Sequence, residues 1–217
     1  MQDLTLNAPL LSGKIMTSES WDNVASQVNF NLEIDRERFC GMVNRQAKVL
    51  DFGCGYGRIV KDLAECGYTD MTGIDPSHTM VERGRKILPG FSLLHSSEGV
   101  LPFEDHSFDA VVACAVFTCI TSLEERAKAV AEIARVLKHG GILHIAEFCS
   151  EEGMVFTSGL GIPMRHSRAG ELRELFGGFQ CVHDEVIGAS TMSGEKSQSY
   201  RAFLKKPLSK AMHAKSA

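Results

Sequence analysis

The sequence lacks several features that would assign it at once to a protein class. No apolar run among its 217 residues approaches the roughly 18 residues that a membrane-spanning helix requires. Its seven cysteines are scattered without a Cys-x-x-Cys pair, so neither a zinc site nor a redox dithiol is indicated. Residues 1–5 also lack the basic and apolar pattern of a secretory signal. We therefore expect a reduced, cytoplasmic protein that does not enter a membrane.

An excess of positive charge is also absent. The chain has 23 Lys and Arg against 27 Asp and Glu, which gives a net charge of −4 at pH 7. Nucleic-acid-binding proteins usually present a basic face, so no nucleic-acid partner is expected. The residues from 208 to 217 carry lysines and no apolar pattern, and we expect them to form a disordered tail.

Apolar segments alternate with amphipathic segments between about residues 47 and 148. This alternation predicts a mainly parallel sheet with right-handed crossovers and helices on both faces. The predicted strands are 47–52, 71–74, 91–95, 108–115 and 142–148. The predicted helices of this region are 58–66, 79–88 and 123–137, and Gly140 and Gly141 are expected to stop the last of them.

The end of the chain breaks the alternation. Two further strands are predicted at 179–187 and 199–204, joined by about ten residues rich in glycine and serine, too few for a crossover helix, so this pair should be antiparallel. Helices are expected at 35–43 and 167–176. We expect a single domain over residues 1–207, with 1–46 as an N-terminal cap and 149–170 as a lid.

A glycine-rich loop follows the first predicted strand, in the segment Val-Leu-Asp-Phe-Gly-Cys-Gly-Tyr-Gly at 49–57. Glycines at such a turn permit positive φ and let a ligand approach the backbone. A dinucleotide-binding Gly-x-Gly-x-x-Gly motif counted from Gly53 requires glycine at position 58, where Arg58 stands. The glycines instead fall at 53, 55 and 57, behind the acidic Asp51.

On these residues the span from about 47 to 148 resembles the class I S-adenosylmethionine (SAM)-dependent methyltransferases, in particular the type 11 branch that acts on small molecules. Two further blocks carry the resemblance: LPFEDHSFD at 101–109, and EIARVLKHGG at 132–141, where His139 replaces the usual proline of a turn. The resemblance implies an α/β fold, a Rossmann-like three-layer sandwich with a mostly parallel seven-stranded sheet and an antiparallel last strand. It also implies SAM as methyl donor and S-adenosylhomocysteine (SAH) as product.

The resemblance assigns residues to the donor site. Asp75, at the end of the second strand, is expected to accept hydrogen bonds from the ribose diol, although an Asp before Pro76 could also simply start a turn. Relatives place an Asp four residues before Leu101 to contact adenine, and here either Ser97 or the adjacent Glu98 would do so. The residues expected to bind SAM are Asp51, Gly53, Cys54, Gly55, Asp75, Pro76, Met80, Ser97, Glu98 and Cys114.

The catalytic residues are not apparent from the sequence. The methyl group of SAM is already activated, so a base is needed only if the acceptor atom holds a proton. The His pair that many relatives carry after the fourth strand is replaced by Thr-Cys at 118–119. Glu147 and His166 remain as catalytic candidates. The residues expected to contact substrate are Trp21, Phe117 and His166.

Several motifs of other methyltransferases are missing. There is no Asn/Asp-Pro-Pro-aromatic or Pro-Cys motif, and Cys114 stands where catechol-type enzymes begin a magnesium site. We expect a metal-independent enzyme, monomeric or homodimeric, that methylates an oxygen or nitrogen of a small molecule. The alternatives are a SAM-binding non-catalytic or regulatory subunit, and an enzyme acting on RNA or protein. A dinucleotide-dependent oxidoreductase is opposed by Arg58 and the antiparallel end pair.

Overall fold

The computed structural model describes residues 18–97 and 99–209, so predictions for 1–17, Glu98 and 210–217 lie outside it. The helices are α1 (Ser18–Val24), α2 (Arg36–Met42), α3 (Arg58–Glu65), α4 (His78–Ile87), α5 (Leu123–Val136) and α6 (Ala169–Leu175). The strands are β1 (Val49–Phe52), β2 (Met71–Asp75), β3 (Ser92–His95), β4 (Phe108–Cys114), β5 (Leu137–Cys149), β6 (Met154–Thr157), β7 (Pro163–His166), β8 (Gln180–Ser190) and β9 (Lys196–Lys205). No helix within the described ranges is long and apolar enough to cross a membrane.

Seven strands form one twisted sheet in the order β3-β2-β1-β4-β5-β9-β8. The strands β1 to β5 are parallel, whereas β9 runs antiparallel to both β5 and β8. The antiparallel pairing follows from the short 191–195 turn, which returns the chain directly beside β8. The predicted α/β sandwich with an antiparallel last strand is confirmed.

The sheet is covered on both faces because successive strand residues point in opposite directions. Val49 packs in a cluster with Phe39 of α2 and Leu63 of α3, while its neighbour Leu50 packs in a second cluster with Ile133 of α5. Both strand residues are 0% exposed. This double burial explains why the predicted strand reads as a continuous apolar run rather than an alternating one.

The junction of α5 and β5 differs from the prediction. The helix ends at Val136 and the extended conformation begins at Leu137, before the two glycines. Those glycines lie within the strand: Gly140 has φ +77°, and a Cβ on Gly141 would lie 2.8 Å from the Asp109 carbonyl oxygen. The glycines therefore permit a close backbone approach and a local twist instead of stopping the helix.

The segment expected to form a lid contains a hairpin, in which β6 pairs antiparallel with β7. Its turn brings Ile162 into a buried cluster with Trp21 and Val24 of α1. Neither the hairpin nor α1 was predicted, because each spans only 4 to 7 residues per element and lies outside the alternating region. The contact joins the lid segment to the N-terminal cap.

His144 of β5 fixes the start of α2, in the later part of the N-terminal cap segment. Its Nε2 accepts a hydrogen bond from the backbone N–H of Asp35 at 3.2 Å, and its Nδ1 lies 2.9 Å from the Ala202 carbonyl oxygen. Because the Asp35 N–H can only donate, the ring proton must reside on Nδ1. Burial lowers the pKa of His144 to about 4, so this neutral tautomer persists at neutral pH.

Acid should weaken the fold through His144. An unfolded histidine has a pKa of about 6.5, so the stability that this group contributes is lost as pH falls from 6.5 towards the folded pKa of about 4. The loss should approach about 3 kcal/mol. Urea unfolding at pH 6.5 and 4.5 should show a smaller pH dependence for His144→Gln than for the unmutated chain. His139→Gln, an exposed control, should retain the full dependence, and an unchanged dependence in His144→Gln would contradict the assignment.

Candidate active site

A cavity of about 360 Å³ opens where β1, β2 and β4 end. Its position agrees with the edge at which open α/β sheets bind ligands. The residues of the expected SAM and substrate sets that line it are Trp21, Gly53, Cys54, Gly55, Asp75, Pro76, Met80, Ser97 and Cys114. Within the described chain, Asp51, Phe117, Glu147 and His166 are not among its lining residues.

The glycine loop presents bare backbone to this cavity. Gly53 and Gly55 have φ values of +72° and +54°, which side-chain-bearing residues rarely adopt. A Cβ on Gly53 would lie 2.5 Å from Val116 Cγ2, and one on Gly55 would lie 2.9 Å from Phe30 Cε2. Glycine is therefore required at both positions for two reasons: the positive φ of the backbone, and the close approach of a neighbouring segment.

Asp75 ends β2 beside the loop, with its carboxylate partly open to the cavity. Its Oδ2 accepts the Gly55 N–H at 2.8 Å and its Oδ1 accepts the Ser77 N–H at 2.8 Å. Burial raises the pKa of Asp75 to about 6, although these two hydrogen bonds oppose the rise. Each oxygen keeps acceptor capacity, so the carboxylate can receive two further hydrogen bonds from a ligand.

Two ionisable side chains next to the loop each have a buried atom without a hydrogen-bond partner among the described residues. Asp51 is 3% exposed, and its Oδ2 has no hydrogen-bond partner among the described residues. Burial raises the pKa of Asp51 to about 7, against the opposing effect of the Arg58 charge. Arg58 lines the cavity, and its guanidinium donates to the Leu32 carbonyl oxygen. Its buried Nε has no hydrogen-bond partner among the residues that the structure describes.

Arg58 lines the cavity although the sequence did not indicate it. Its identity was used only to reject a dinucleotide motif, yet its place directly after the loop brings the guanidinium to the cavity. The unpaired Nε–H makes it a candidate donor to an anionic group of a ligand.

Aromatic rings of the N-terminal cap cover the glycine loop. Trp21 lines the cavity and meets Phe30 edge-on at 5.8 Å between centroids. Phe30 stacks on Tyr56, the residue between the second and third glycines, at 5.4 Å, and Arg83 lies 4.0 Å above the Tyr56 ring. The N-terminal cap thus packs onto the glycine loop through contacts between aromatic rings, and the Arg83 guanidinium lies over the last ring.

Polar contacts hold the same cap to α4. Asp22 accepts hydrogen bonds from Ser77 Oγ at 2.6 Å and from the Thr79 N–H at 2.8 Å. Arg83 donates to the Val28 carbonyl oxygen at 2.7 Å. These contacts explain the Trp-Asp pair at 21–22: the ring lines the cavity, and the carboxylate binds the Ser77 hydroxyl and the Thr79 N–H where α4 begins.

Glu147 shapes the loop that follows β4. The side chain is buried, and its carboxylate accepts the Val116 N–H at 3.0 Å and both the N–H and the hydroxyl of Thr118 at 2.8 Å. Burial raises the pKa of Glu147 to about 7, with the Thr118 hydrogen bonds opposing. The structure thus places this catalytic candidate behind the cavity wall, where its carboxylate orients backbone.

Arg126 fixes the same loop from α5. Its guanidinium donates to the carbonyl oxygens of Phe117 at 2.5 Å and Ile120 at 3.2 Å, and to Ser167 Oγ at 2.9 Å.

The Phe117 side chain is 0% exposed and meets Phe176 edge-on at 4.9 Å. The expectation that Phe117 contacts substrate is therefore not supported, since the ring points into the core.

His166 also stands behind the wall. Its ring stacks on Phe148 at 5.4 Å and meets Phe156 edge-on at 4.9 Å, and burial lowers its pKa. Phe148, not His166, lines the cavity. The sequence could not show which of these two rings lines the cavity, because this depends on how the β6–β7 hairpin folds back onto β5.

The blocks at 101–109 and 132–141 contact each other. Glu132 accepts the Leu101 N–H at 2.8 Å, and Arg135 donates to the carbonyl oxygens of Leu101 at 2.9 Å and Phe103 at 2.7 Å. Glu132 and Arg135 therefore hold residues 101–103 against α5. His139 is exposed, 2.9 Å from the Pro207 carbonyl oxygen, and lies within β5 rather than in the expected turn.

Two cysteines contribute to the wall as neutral thiols. The Cys114 thiol donates to the Leu32 carbonyl oxygen at 3.3 Å and the Cys119 thiol to the Ala115 carbonyl oxygen at 3.1 Å. Burial raises the pKa of Cys114 to about 12 and also raises that of Cys119. Neither offers a thiolate near neutral pH. Among the described residues, no group of three or more His, Cys, Asp or Glu side chains is placed to hold a metal ion.

Removing the Arg126 guanidinium should destabilise the loop that follows β4. Arg126→Met keeps an unbranched side chain but leaves the buried Phe117 carbonyl oxygen and the part-buried Ile120 carbonyl oxygen without their donor, so the free energy of unfolding should fall by about 2–4 kcal/mol. Lys128→Met, on the exposed side of the same helix, should change it by less than about 0.5 kcal/mol. Equal values for the two variants in urea denaturation would show that Arg126 does not hold the loop.

Comparison with known proteins agrees with this geometry. Residues 50–145 match the sequence model of the family described as "Methyltransferase domain". The chain is 36% identical over 101 residues to the demethylmenaquinone methyltransferase of Renibacterium salmoninarum, covering 46% of this chain and 41% of that protein. It is 30% identical over 116 residues to the ubiquinone/menaquinone biosynthesis C-methyltransferase UbiE of Campylobacter jejuni, covering 51% and 48%. The matched part thus spans less than half of either relative's length.

Solved structures show the same fold. A SAM-dependent methyltransferase from Methanosarcina mazei superposes with a TM-score of 0.71 at 24% identity, covering 77% of this chain and 96% of that one. The cyclase SpnF gives the same TM-score at 18% identity, covering 88% and 95%. At these identities the likeness concerns the fold alone, and it extends to a protein named for a different reaction.

Proposed function

We propose that this chain, whose residues 50–145 match the family model of a methyltransferase domain, transfers a methyl group from SAM to a small molecule. The observation that carries the proposal is the meeting of the side-chain-free loop at Gly53 and Gly55 with the Asp75 carboxylate in one cavity. Release of SAH from SAM by the purified chain, measured with candidate acceptors, tests it. Binding of NAD without binding of SAM would refute it.

The residues present fit the donor. Asp75 offers acceptor capacity to the ribose diol, and the loop from Gly53 to Gly55 leaves room for a ligand against the backbone. The buried, unpaired Nε–H of Arg58 suits the carboxylate of the methionine portion. Ser97 lines the cavity near α5 and remains the described candidate for the adenine contact. The methyl group that SAM brings is already activated as a sulfonium substituent.

The task left to the protein is to orient the acceptor and exclude water. Trp21 and the cap close one side, and the loop held by Glu147 and Arg126 forms another. We place the reaction in the cytoplasm, without a nucleic-acid or membrane partner, in a monomer or homodimer. An oxygen or nitrogen acceptor was expected from the sequence. A SAM-binding non-catalytic or regulatory subunit is the second candidate, and it is favoured by the absence of the catalytic candidates Glu147 and His166 from the cavity lining.

Asp75→Ala should weaken donor binding strongly. Loss of two charged hydrogen bonds should reduce the affinity for SAM by about 2–4 kcal/mol, or roughly 30- to 1,000-fold. Isothermal titration calorimetry with SAM and with SAH measures the change. Asp70→Ala, an exposed residue just before β2, is the matched control and should bind normally. Unchanged affinity in a folded Asp75→Ala protein would remove Asp75 from the donor site.

Donor binding should also fall in acid. Only the ionised Asp75 can accept from both hydroxyls, so a pKa of about 6 implies that SAH binds about tenfold more weakly at pH 5 than at pH 7. Asp75→Asn cannot titrate and should bind weakly but equally at both values. A pH dependence that persists in Asp75→Asn would assign the effect to another group.

A further inference from the structure

A third buried cluster forms part of the cavity, apart from the two clusters that cover the sheet. Its members come from the N-terminal cap, the glycine loop, α4, the loop after β4 and the β6–β7 hairpin. The members that also line the cavity are Trp21, Phe30, Met80, Cys119 and Met164. The contacts that hold this cluster together therefore also determine the inner surface of the cavity.

Arg83 of α4 binds the cap at three points. Its Nη1 donates to the carbonyl oxygens of Ala25 and Val28, each at 2.7 Å, and its Nη2 donates to Asn29 Oδ1 at 3.0 Å. Ala25 and Val28 are themselves buried in the third cluster. Because a guanidinium presents its donors in one fixed plane, three acceptors bound together orient the turn formed by residues 25–29.

The same guanidinium also contacts the glycine loop. It lies 4.0 Å from the centroid of the Tyr56 ring, and the Tyr56 hydroxyl accepts the Phe30 N–H at 2.9 Å. Phe30 stacks on Tyr56 and approaches Gly55 so closely that a Cβ there would lie 2.9 Å from the ring. The Arg83 side chain therefore connects the cap to the loop of the proposed donor site.

Two other side chains attach the cap on either side of this turn. Asp22 binds the start of α4, and the Asn31 side chain donates to the Ser190 and Thr191 carbonyl oxygens at 3.0 and 3.1 Å. Between these two attachments, the hydrogen bonds from α4 to the turn come from Arg83. Loss of its guanidinium should therefore release the middle of the cap while both flanking attachments remain.

We propose that Arg83 is a positioning residue for the donor: by holding the 25–29 turn against Tyr56, it keeps Trp21 and Phe30 on the cavity and slows the release of SAM and SAH. This inference rests on the proposed function. Arg83 is not among the described residues that line the cavity, so it acts through the two rings. Removing contacts lowers the free energy of local opening, so the open fraction of the cap and the rate of donor release both rise.

The release of SAH from Arg83→Met tests the proposal. Its dissociation rate constant, measured by surface plasmon resonance with immobilised protein, should exceed that of the unmutated chain at least about tenfold, the effect of losing one hydrogen bond from a charged group. Lys86→Met, an exposed change on the same helix, should stay within about twofold. An equal rate in Arg83→Met and Lys86→Met overturns the inference. Absent SAH binding by the unmutated chain would instead refute the proposed function.

Fluorescence quenching reports on the cap without any ligand. Trp21 is the single tryptophan of the chain and is 8% exposed, so acrylamide should quench it weakly in the unmutated protein. In Arg83→Met the quenching constant should rise at least about twofold, because a locally opened segment exposes its side chains, while the far-ultraviolet circular dichroism stays unchanged. Faster SAH release without increased quenching would show that Arg83 does not act through the cap, which also overturns the inference.

Arg83→Lys separates the guanidinium from its charge. Lysine keeps the positive charge on α4 but lacks the planar set of donors, so SAH should leave this variant at least about threefold faster than it leaves the unmutated chain. The same variant decides the question if Arg83→Met does not fold. Release and quenching in Arg83→Lys equal to those of the unmutated chain would show that the guanidinium is not required.

Discussion

The site depends on the absence of side chains at Gly53 and Gly55. The two glycines let three separate segments converge on the end of β1: Val116 from the loop after β4, Phe30 from the cap, and Asp75, whose carboxylate binds the Gly55 N–H. A single Cβ would displace one of these neighbours and also strain the backbone. The same bare backbone that admits a ligand therefore also determines how closely the cavity walls approach.

Several charged side chains near the cavity bind backbone groups, either alone or in addition to an ion pair. Glu147 and Arg126 hold opposite sides of the 115–120 loop, and Arg135 holds the 101–105 segment. Irregular segments cannot satisfy their own N–H and C=O groups, so buried ions with several donors or acceptors replace the missing regular structure. The arrangement explains why candidate catalytic carboxylates can be buried near a cavity without acting in it.

The sequence predicted features whose physical cause is local and missed those whose cause is tertiary. Apolar runs and helical spacing located β1 to β5 and α3 to α5, and the glycine spacing located the loop that lines the cavity. The roles of Phe117 and His166 could not be read, because chain position does not determine which side of a wall a ring occupies. The sequence did not indicate Arg58 either. The buried Nε of this residue has no partner among the described residues, and a sequence motif does not encode which atoms become buried.

The cavity is built from two different parts of the fold. One side uses the backbone of the glycine loop and the Asp75 carboxylate, which the parallel sheet brings to the same edge. The other lining residues include Trp21 and Phe30 of the cap, Met164 of the β6–β7 hairpin and Met192 of the β8–β9 turn. These segments are additions to the sheet and can change without disturbing it. A shared fold does not determine a reaction, so it is these additions that can distinguish one protein of this fold from another.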